Sequence, residues 1–246
     1  MNSRSFVENI IKKSKNMKQL FICMLCLTIG NYTVHAQKDS KTFNFKKGEV
    51  LDFILLTMKP NSSALFEKYR EVIYPIGFEF GYEPQQGFRT KELILGNHLP
   101  SVFVFGKWPS KEKRHGFLET IVSRVPDFHQ RRRDLFSYFT FAFFEIQENK
   151  TISLQKNKVN SITAFWKTDK QDIEKFVSKW KEQAKISGGS SIVQLQNGYS
   201  PAGYNYNPDI LIITEWENET AFSKFTEKHP LSFYKELKNV HQFVIE

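Results

Sequence analysis

The sequence has little cysteine and lacks the motifs that mark the common enzyme classes. Of its 246 residues only two are cysteines, Cys23 and Cys26, and both lie near the N-terminus. The rest of the chain therefore has no disulfides and no thiol chemistry, and core burial must stabilise it. The HExxH, Walker, GxGxxG and G-x-S-x-G patterns are all absent. This removes support for zinc proteases, nucleotide-binding enzymes and serine hydrolases.

Positive charge is not concentrated in one part of the chain. The formal net charge is +9, from 35 basic and 26 acidic residues. No stripe of lysine and arginine is interleaved with aromatic residues, so no nucleic-acid partner is expected. The densest basic cluster is Arg131-Arg132-Arg133, which we interpret as a solvated helix face rather than an anion site.

Long apolar runs are missing except near the N-terminus. Basic residues precede an apolar run from Leu20 to Ile29, and a small-x-small pattern ends at Ala36. This order predicts a secretory signal peptide over residues 1–36, with cleavage after Ala36, and the run is too short to span a bilayer. We therefore expect a secreted or periplasmic protein with no membrane span after signal removal. A short N-terminal anchor is the alternative.

The hydrophobic pattern of the remaining chain repeats one plan twice. Each half is predicted as strand, helix, strand, strand, helix, strand. The predicted divisions are a flexible arm at 37–47, a first domain at 48–148, a linker at 149–156 and a second domain at 157–246.

The third strands of the two halves match in detail. In each half a proline stands eight residues before a tryptophan, at Pro100 and Trp108 and again at Pro208 and Trp216. An apolar strand lies between the proline and the tryptophan both times. In the first helix, Pro75 is expected to kink the helix or end it early.

The repeated order predicts a ferredoxin-like unit, in which four antiparallel strands carry two helices on one face. The strands are apolar on both faces, as in the stretches 53–56 and 210–213. Each sheet therefore needs a second cover, and the simplest cover is the sheet of the other half. We predict an α+β fold of two tandem ferredoxin-like domains with paired antiparallel sheets.

With this strand order and this third-strand motif, the sequence resembles the dimeric α+β barrel superfamily. The motif is an apolar strand that ends on Trp108 or Trp216, followed by a helix start at Ser110 or Asn218. The resemblance covers nearly all of the chain after residue 36 and implies an internal dimeric α+β barrel, a pseudo-dimer within one chain. Relatives include cofactor-free quinol monooxygenases, haem-degrading and chlorite-splitting enzymes, lactone isomerases and domains without an assigned role. The resemblance therefore implies the fold but not the activity.

Four residues are the candidate ligand-binding side chains. Trp108 ends the third strand, and His98 lies in the turn before that strand. Arg89, on the second strand, is placed to meet an anionic group, and His115 follows Trp108 in the helical region. A haem-binding relative would present a histidine from a helix, for which His115 and His129 are the first-half candidates. The histidines do not cluster, so we expect no metal and no cofactor, and a structural role for each is the alternative.

These observations predict binding of a small apolar or aromatic molecule in one half, with the first half favoured. Whether the protein is also an enzyme stays open, as does a further homodimer. The second hypothesis is a cofactor-free monooxygenase or isomerase, which predicts a buried pocket holding Trp108 and at least one histidine or asparagine. The third is a non-catalytic interaction module that uses the turn-rich loop 197–207.

Overall fold

The structure is a computed structural model that describes residues 40–168, 172–201, 203–235 and 237–246. The predicted signal peptide lies outside the described residues. In the described part of the chain, no helix has both the length and the apolar character needed to cross a membrane.

The first half has the predicted order, with one extra strand in front and one extra helix near its end. Its elements are β1 (Ser40–Phe45), β2 (Val50–Met58), α1 (Ser63–Glu79), β3 (Glu83–Leu95), β4 (Val102–Trp108), α2 (Lys111–Arg124), α3 (Phe128–Leu135) and β5 (Phe136–Glu145). The Ser110 side chain accepts a hydrogen bond from the backbone N–H of Lys113, which starts α2 directly after the Trp108 strand.

The second half follows the same plan. Its elements are β6 (Lys150–Gln155), β7 (Val159–Lys167), α4 (Ile173–Ile186), β8 (Gly189–Gln196), β9 (Ile210–Trp216), α5 (Glu219–Lys228), a 3-10 turn (Leu231–Phe233) and β10 (Leu237–Ile245). The Asn218 side chain accepts a hydrogen bond from the backbone N–H of Ala221. Both third strands therefore lead into a capped helix in the same way.

Eight strands form one continuous antiparallel sheet in the order β5-β2-β4-β3-β10-β7-β9-β8. The two halves join where β3 pairs with β10. At the other edges, Phe143 of β5 and Tyr199, just after β8, exchange two backbone hydrogen bonds of 2.8 and 3.0 Å. The paired sheets thus form the predicted internal α+β barrel.

The first-half strands and the second-half strands of this sheet form two facing four-stranded parts, and the inner faces of these parts share one core. Phe53 and Phe103 of the first half lie in the same buried cluster as Leu211 and Phe243 of the second half. All four side chains are fully buried. Each sheet therefore covers the inner face of the other, and the predicted mutual cover is confirmed.

The structure differs from the sequence analysis at the arm and the linker. Strand β1 lies in the expected arm and pairs with β6, which fills the expected linker. Phe43 and Phe45 alternate with polar residues, as do Ile152 and Leu154, and all four are buried in the inner core. This period of two is a strand signal, and it outweighs the polar composition of both segments. The domain boundaries themselves stay a prediction.

Helix α1 also differs from expectation, because it continues past Pro75 to Glu79. Ile73, Ile76 and Gly77 surround the proline in sequence and are buried. Packing of this helix face outweighs the single backbone hydrogen bond that proline removes.

A candidate ligand cavity in the first half

A cavity of about 120 Å³ lies between the outer face of the first-half sheet and its three helices. Strands β2, β4 and β5 form one wall, and α1, α2 and α3 form the other. Most of the lining is apolar or aromatic, including Ile54, Phe66, Val104 and Phe139. A dry apolar cavity of about 150 Å³ can hold benzene, so this cavity is close to the size of one aromatic ring.

One wall of the cavity carries a buried ion pair. The Asp52 carboxylate accepts a hydrogen bond of 3.0 Å from the Trp108 indole N–H and one of 2.9 Å from Arg114 Nε. Only 3% of each charged side chain is exposed. The Arg114 guanidinium also lies 4.8 Å from the Trp108 ring centroid. Arg114 Nη1 is buried and has no hydrogen-bond partner. The pair is held rigidly, and it keeps one unused donor.

A second buried arginine lies on the α3 side of the cavity. Arg132 Nε donates a hydrogen bond of 3.1 Å to the Tyr69 hydroxyl. Its guanidinium lies 4.1 Å from the centroid of Phe128 and 4.5 Å from that of Phe139. Burial lowers the pKa of Arg132, but the oxygens of Tyr69 and Tyr204 more than offset this and raise it. Arg132 is therefore a fixed positive charge.

Two tyrosines of the cavity wall, Tyr74 and Tyr82, are neutral phenols. Burial raises the pKa of Tyr74, and it raises the pKa of Tyr82 well above its usual range. The Tyr82 ring lies against Trp108, with 4.7 Å between ring centroids. These side chains can donate or accept hydrogen bonds, but they add no negative charge that could balance Arg132.

The structure does not bring the four predicted ligand-binding residues together. Trp108 lines the cavity. His98 lines a different cavity, and Arg89 is exposed on β3. His115 packs against Phe143 with 5.5 Å between ring centroids, and its buried Nε2 has no partner. Only Trp108 therefore has the predicted position at a ligand cavity of the first half.

The cavity that contains His98 is more polar and lies where the two halves meet. It has a volume of about 380 Å³. His241 Nε2 lies 2.8 Å from the His98 carbonyl oxygen, so this nitrogen must be the donor. The Tyr206 hydroxyl then donates to His241 Nδ1 over 3.0 Å. Burial lowers the pKa of His241, consistent with the neutral ring that this chain of bonds requires.

Sequence reasoning missed the three charged residues of the first cavity. Asp52 is a lone acid in an otherwise apolar strand, which is a signal for a buried partner. The interpretation of residues 131–133 as a solvated face is wrong for Arg132. Phe128, Arg132 and Leu135 are the buried residues of α3, and their spacing of four and three places them on one helix face.

Haem, which some relatives of this fold bind, does not fit the first cavity. The cavity has room for about one aromatic ring, and none of its lining residues is a histidine. His129, the other first-half candidate, packs against Phe128 rather than lining the cavity. Among the residues that the structure describes, no three His, Cys, Asp or Glu side chains are grouped for a metal ion.

Comparison with known proteins adds little about activity. No family model matches the chain, and no curated protein matches it. A solved mutant of chlorite dismutase from Candidatus Nitrospira defluvii is 9% identical, with a TM-score of 0.45 over 82% of this chain and 93% of that chain. An anthrone oxidase-like protein is 10% identical, with a TM-score of 0.44 over 84% of this chain and 94% of that chain.

Neither likeness carries an argument about what this chain does, because both TM-scores are below 0.5. The strand order of the chain itself defines its architecture. The fold is a dimeric α+β barrel. Two ferredoxin-like halves in one chain supply the two sheets of this barrel.

Proposed function

We propose that this protein binds a small aromatic or apolar molecule in the first-half cavity, and that it does so as a secreted or periplasmic protein. The observation that carries the proposal is the cavity itself, an apolar space of about 120 Å³ with a few fixed polar groups in its wall. An apolar lining with a few placed polar groups is the usual chemistry of a small-molecule site.

The second half supports the assignment to the first half. Trp108 and Trp216 occupy equivalent positions, since Trp108 pairs with Val50 and Trp216 with Val159. Beside Trp216 the rings of Phe222 and Phe225 lie at centroid distances of 5.3 and 4.8 Å. The second half thus fills this place with its own side chains.

A cofactor-free monooxygenase or isomerase remains the alternative. That hypothesis predicted a pocket holding Trp108 together with a histidine or an asparagine. The cavity is lined by Trp108, but its lining residues include neither type. Binding is therefore the function that the lining supports best, and no chemical step is assigned.

The interaction-module hypothesis concerns the loop 197–207. Its Tyr206 is buried in the inner core, and Tyr204 packs against Phe141 with 5.1 Å between ring centroids. Tyr199 is half exposed and pairs with Phe143. Two of these tyrosines therefore serve packing within the chain, and a role in contacting a partner is less favoured.

The test is a calorimetric titration of the purified protein with a one-ring probe, p-cresol. Native mass spectrometry of the same protein would detect any copurified molecule. Val104 lines the cavity, whereas Val102 lies two residues earlier on the same strand and does not line it. We expect Val104→Phe to abolish p-cresol binding and Val102→Phe to retain it. Equal binding by both variants would contradict the proposed site.

Export is tested separately by N-terminal sequencing of the protein recovered from the periplasm or the medium. The proposal expects a mature chain that starts at Gln37. A protein that stays inside the cell and still carries residues 1–36 would contradict the proposal.

A further inference from the structure

We propose that the ligand of the first-half cavity is an anion, specifically a one-ring aromatic carboxylate whose carboxylate binds Arg132. This inference rests on the proposed function and names the chemical class of its ligand. It is carried by two buried guanidinium groups in the cavity wall, of which only Arg114 has a carboxylate partner, Asp52.

Arg132 is the buried positive charge that an anionic ligand would neutralise. Its side chain is buried, and none of the ion pairs among the described residues includes it. The partners that the structure gives it are the hydroxyl of Tyr69 and the faces of the Phe128 and Phe139 rings. Burying a charge without a counter-charge is costly, so a protein that retains such a charge commonly uses it.

Charge counting over the cavity wall gives the same result. The ionised groups in the wall are Asp52, Arg114 and Arg132. Asp52 neutralises Arg114 and is the only carboxylate among the lining residues, so one positive charge is left. A ligand with a single negative charge would balance it. Asp52 lies at the Arg114 side and would repel an anion there, which directs the anionic group towards Arg132.

The aromatic surroundings of both arginines favour a flat ligand of limited size. Their guanidinium carbons lie 5.1 and 5.9 Å from the centroid of one ring, that of Phe141. A carboxylate at Arg132 would leave its ring among aromatic side chains, and Arg114 Nη1 is a buried donor still free to bind a ring substituent. Guanidinium groups match the planar carboxylate with two parallel hydrogen bonds.

The second half contributes a side chain close to this part of the cavity wall. Tyr204 comes from the loop 197–207, and its ring packs against Phe139 and Phe141 with 5.5 and 5.1 Å between centroids. The loop that the sequence marked as a candidate contact segment therefore supports two rings beside Arg132.

The test uses two probes of nearly equal shape, benzoate and the neutral benzamide, titrated into the purified protein by calorimetry at low salt. We expect wild-type protein to bind benzoate at least tenfold more tightly than benzamide. Arg132→Gln should remove this preference, with benzamide affinity changed less than threefold. The matched control is Arg133→Gln, because Arg133 is the exposed neighbour on the same helix, and it should keep the preference.

The outcomes separate this inference from the proposed function. If wild-type protein binds both probes equally, the anion inference is overturned and the cavity remains a site for neutral aromatics. If it binds neither probe and p-cresol also fails, both proposals are overturned. Should Arg132→Gln fail to fold, the wild-type ratio of benzoate to benzamide still decides the inference.

Discussion

The two halves of the barrel share one architecture but use it differently beside their tryptophans. In the first half the Trp108 indole N–H donates to Asp52, and in the second half the Trp216 indole N–H donates to Ser161 over 2.8 Å. Asp52 and Ser161 are equivalent, since each lies two residues after the valine that pairs with the tryptophan.

The partner of Asp52 is replaced as well. Arg114 lies four residues after the helix cap Ser110, and Phe222 lies four residues after the cap Asn218. An ion pair in one half thus corresponds to a hydroxyl and an aromatic ring in the other. The Arg114 guanidinium lies 4.8 Å from the Trp108 ring centroid, and the Phe222 ring lies 5.3 Å from that of Trp216. One duplicated plan therefore places a buried ion pair in a cavity wall beside one tryptophan and an aromatic contact beside the other.

The largest expected effect comes from separating the halves. A chain that ends at Lys156 loses β10, the partner of β3, and exposes inner-face side chains such as Phe53 and Phe103. We expect this fragment to aggregate, because an apolar face of this size is exposed to water. Size-exclusion chromatography checks this. A monomeric fragment that unfolds cooperatively would show that the halves do not depend on each other.

The next prediction compares the hydrogen-bond partners of the two tryptophans, Asp52 and Ser161. Asp52→Ala leaves Arg114 buried without its counter-charge and should lower the free energy of unfolding by about 3–5 kcal/mol. Ser161→Ala removes one hydrogen bond to a buried indole and should cost about 1–3 kcal/mol. Urea denaturation of both variants measures the difference. Equal losses would mean that the ion pair is not the special feature of the first half.

A double substitution converts the first half to the pattern of the second. Asp52→Ser with Arg114→Phe replaces the ion pair with a hydroxyl and a ring, as beside Trp216. Because buried ion pairs can be replaced by apolar groups at little cost, we expect stability within about 2 kcal/mol of the wild type. Binding of p-cresol should be lost. Retained binding in a folded double variant would show that the ion pair does not keep the cavity open.

The smallest expected effect concerns a residue with no titratable counterpart in the first half. His241 pairs with Ala164, and the equivalent position opposite Leu55 is Thr140. Burial lowers the pKa of His241 in the folded state. As pH falls, the unfolded chain therefore takes up this proton first, and the folded state loses stability below about pH 6.5, the ordinary value for histidine.

The measurement is urea denaturation at pH 7.5 and pH 5.5 for wild type, His241→Gln and Thr140→Ser. The loss of stability at the lower pH should be smaller in His241→Gln than in wild type. Thr140→Ser, at the equivalent strand position, should keep the wild-type pH dependence. An unchanged pH dependence in His241→Gln would contradict the burial argument.

Much of the fold could be predicted from local patterns. The apolar run of β2 and the cap at Ser110 identify their elements without tertiary information, because strand alternation and capping act over a few residues. The need for a second cover also followed from strands that are apolar on both faces. The early helix end expected at Pro75 was wrong, and strands β1 and β6 were missed, since long-range burial outweighed local preference there.

The candidate site could be predicted only in part. Trp108 was identified because it ends a repeated motif, but Arg132 was assigned to solvent because its neighbours Arg131 and Arg133 are polar. Arg89, His98 and His115 have suitable chemistry, yet chemistry alone does not give their positions. Whether a side chain faces a cavity depends on which helix covers which part of the sheet.

The sequence by itself determined the duplicated plan and the apolar sheets that had to cover each other, because both follow from short-range periodicity. Only the tertiary structure decided that the first half has a cavity beside its tryptophan and which charges lie in it. Arg114 and Arg132 lie 62 and 80 positions after Asp52 in the sequence. Only the packing of α2 and α3 on the sheet that contains β2 brings the three side chains to one cavity. Burial then turns ordinary surface residue types into a paired charge and an unpaired one.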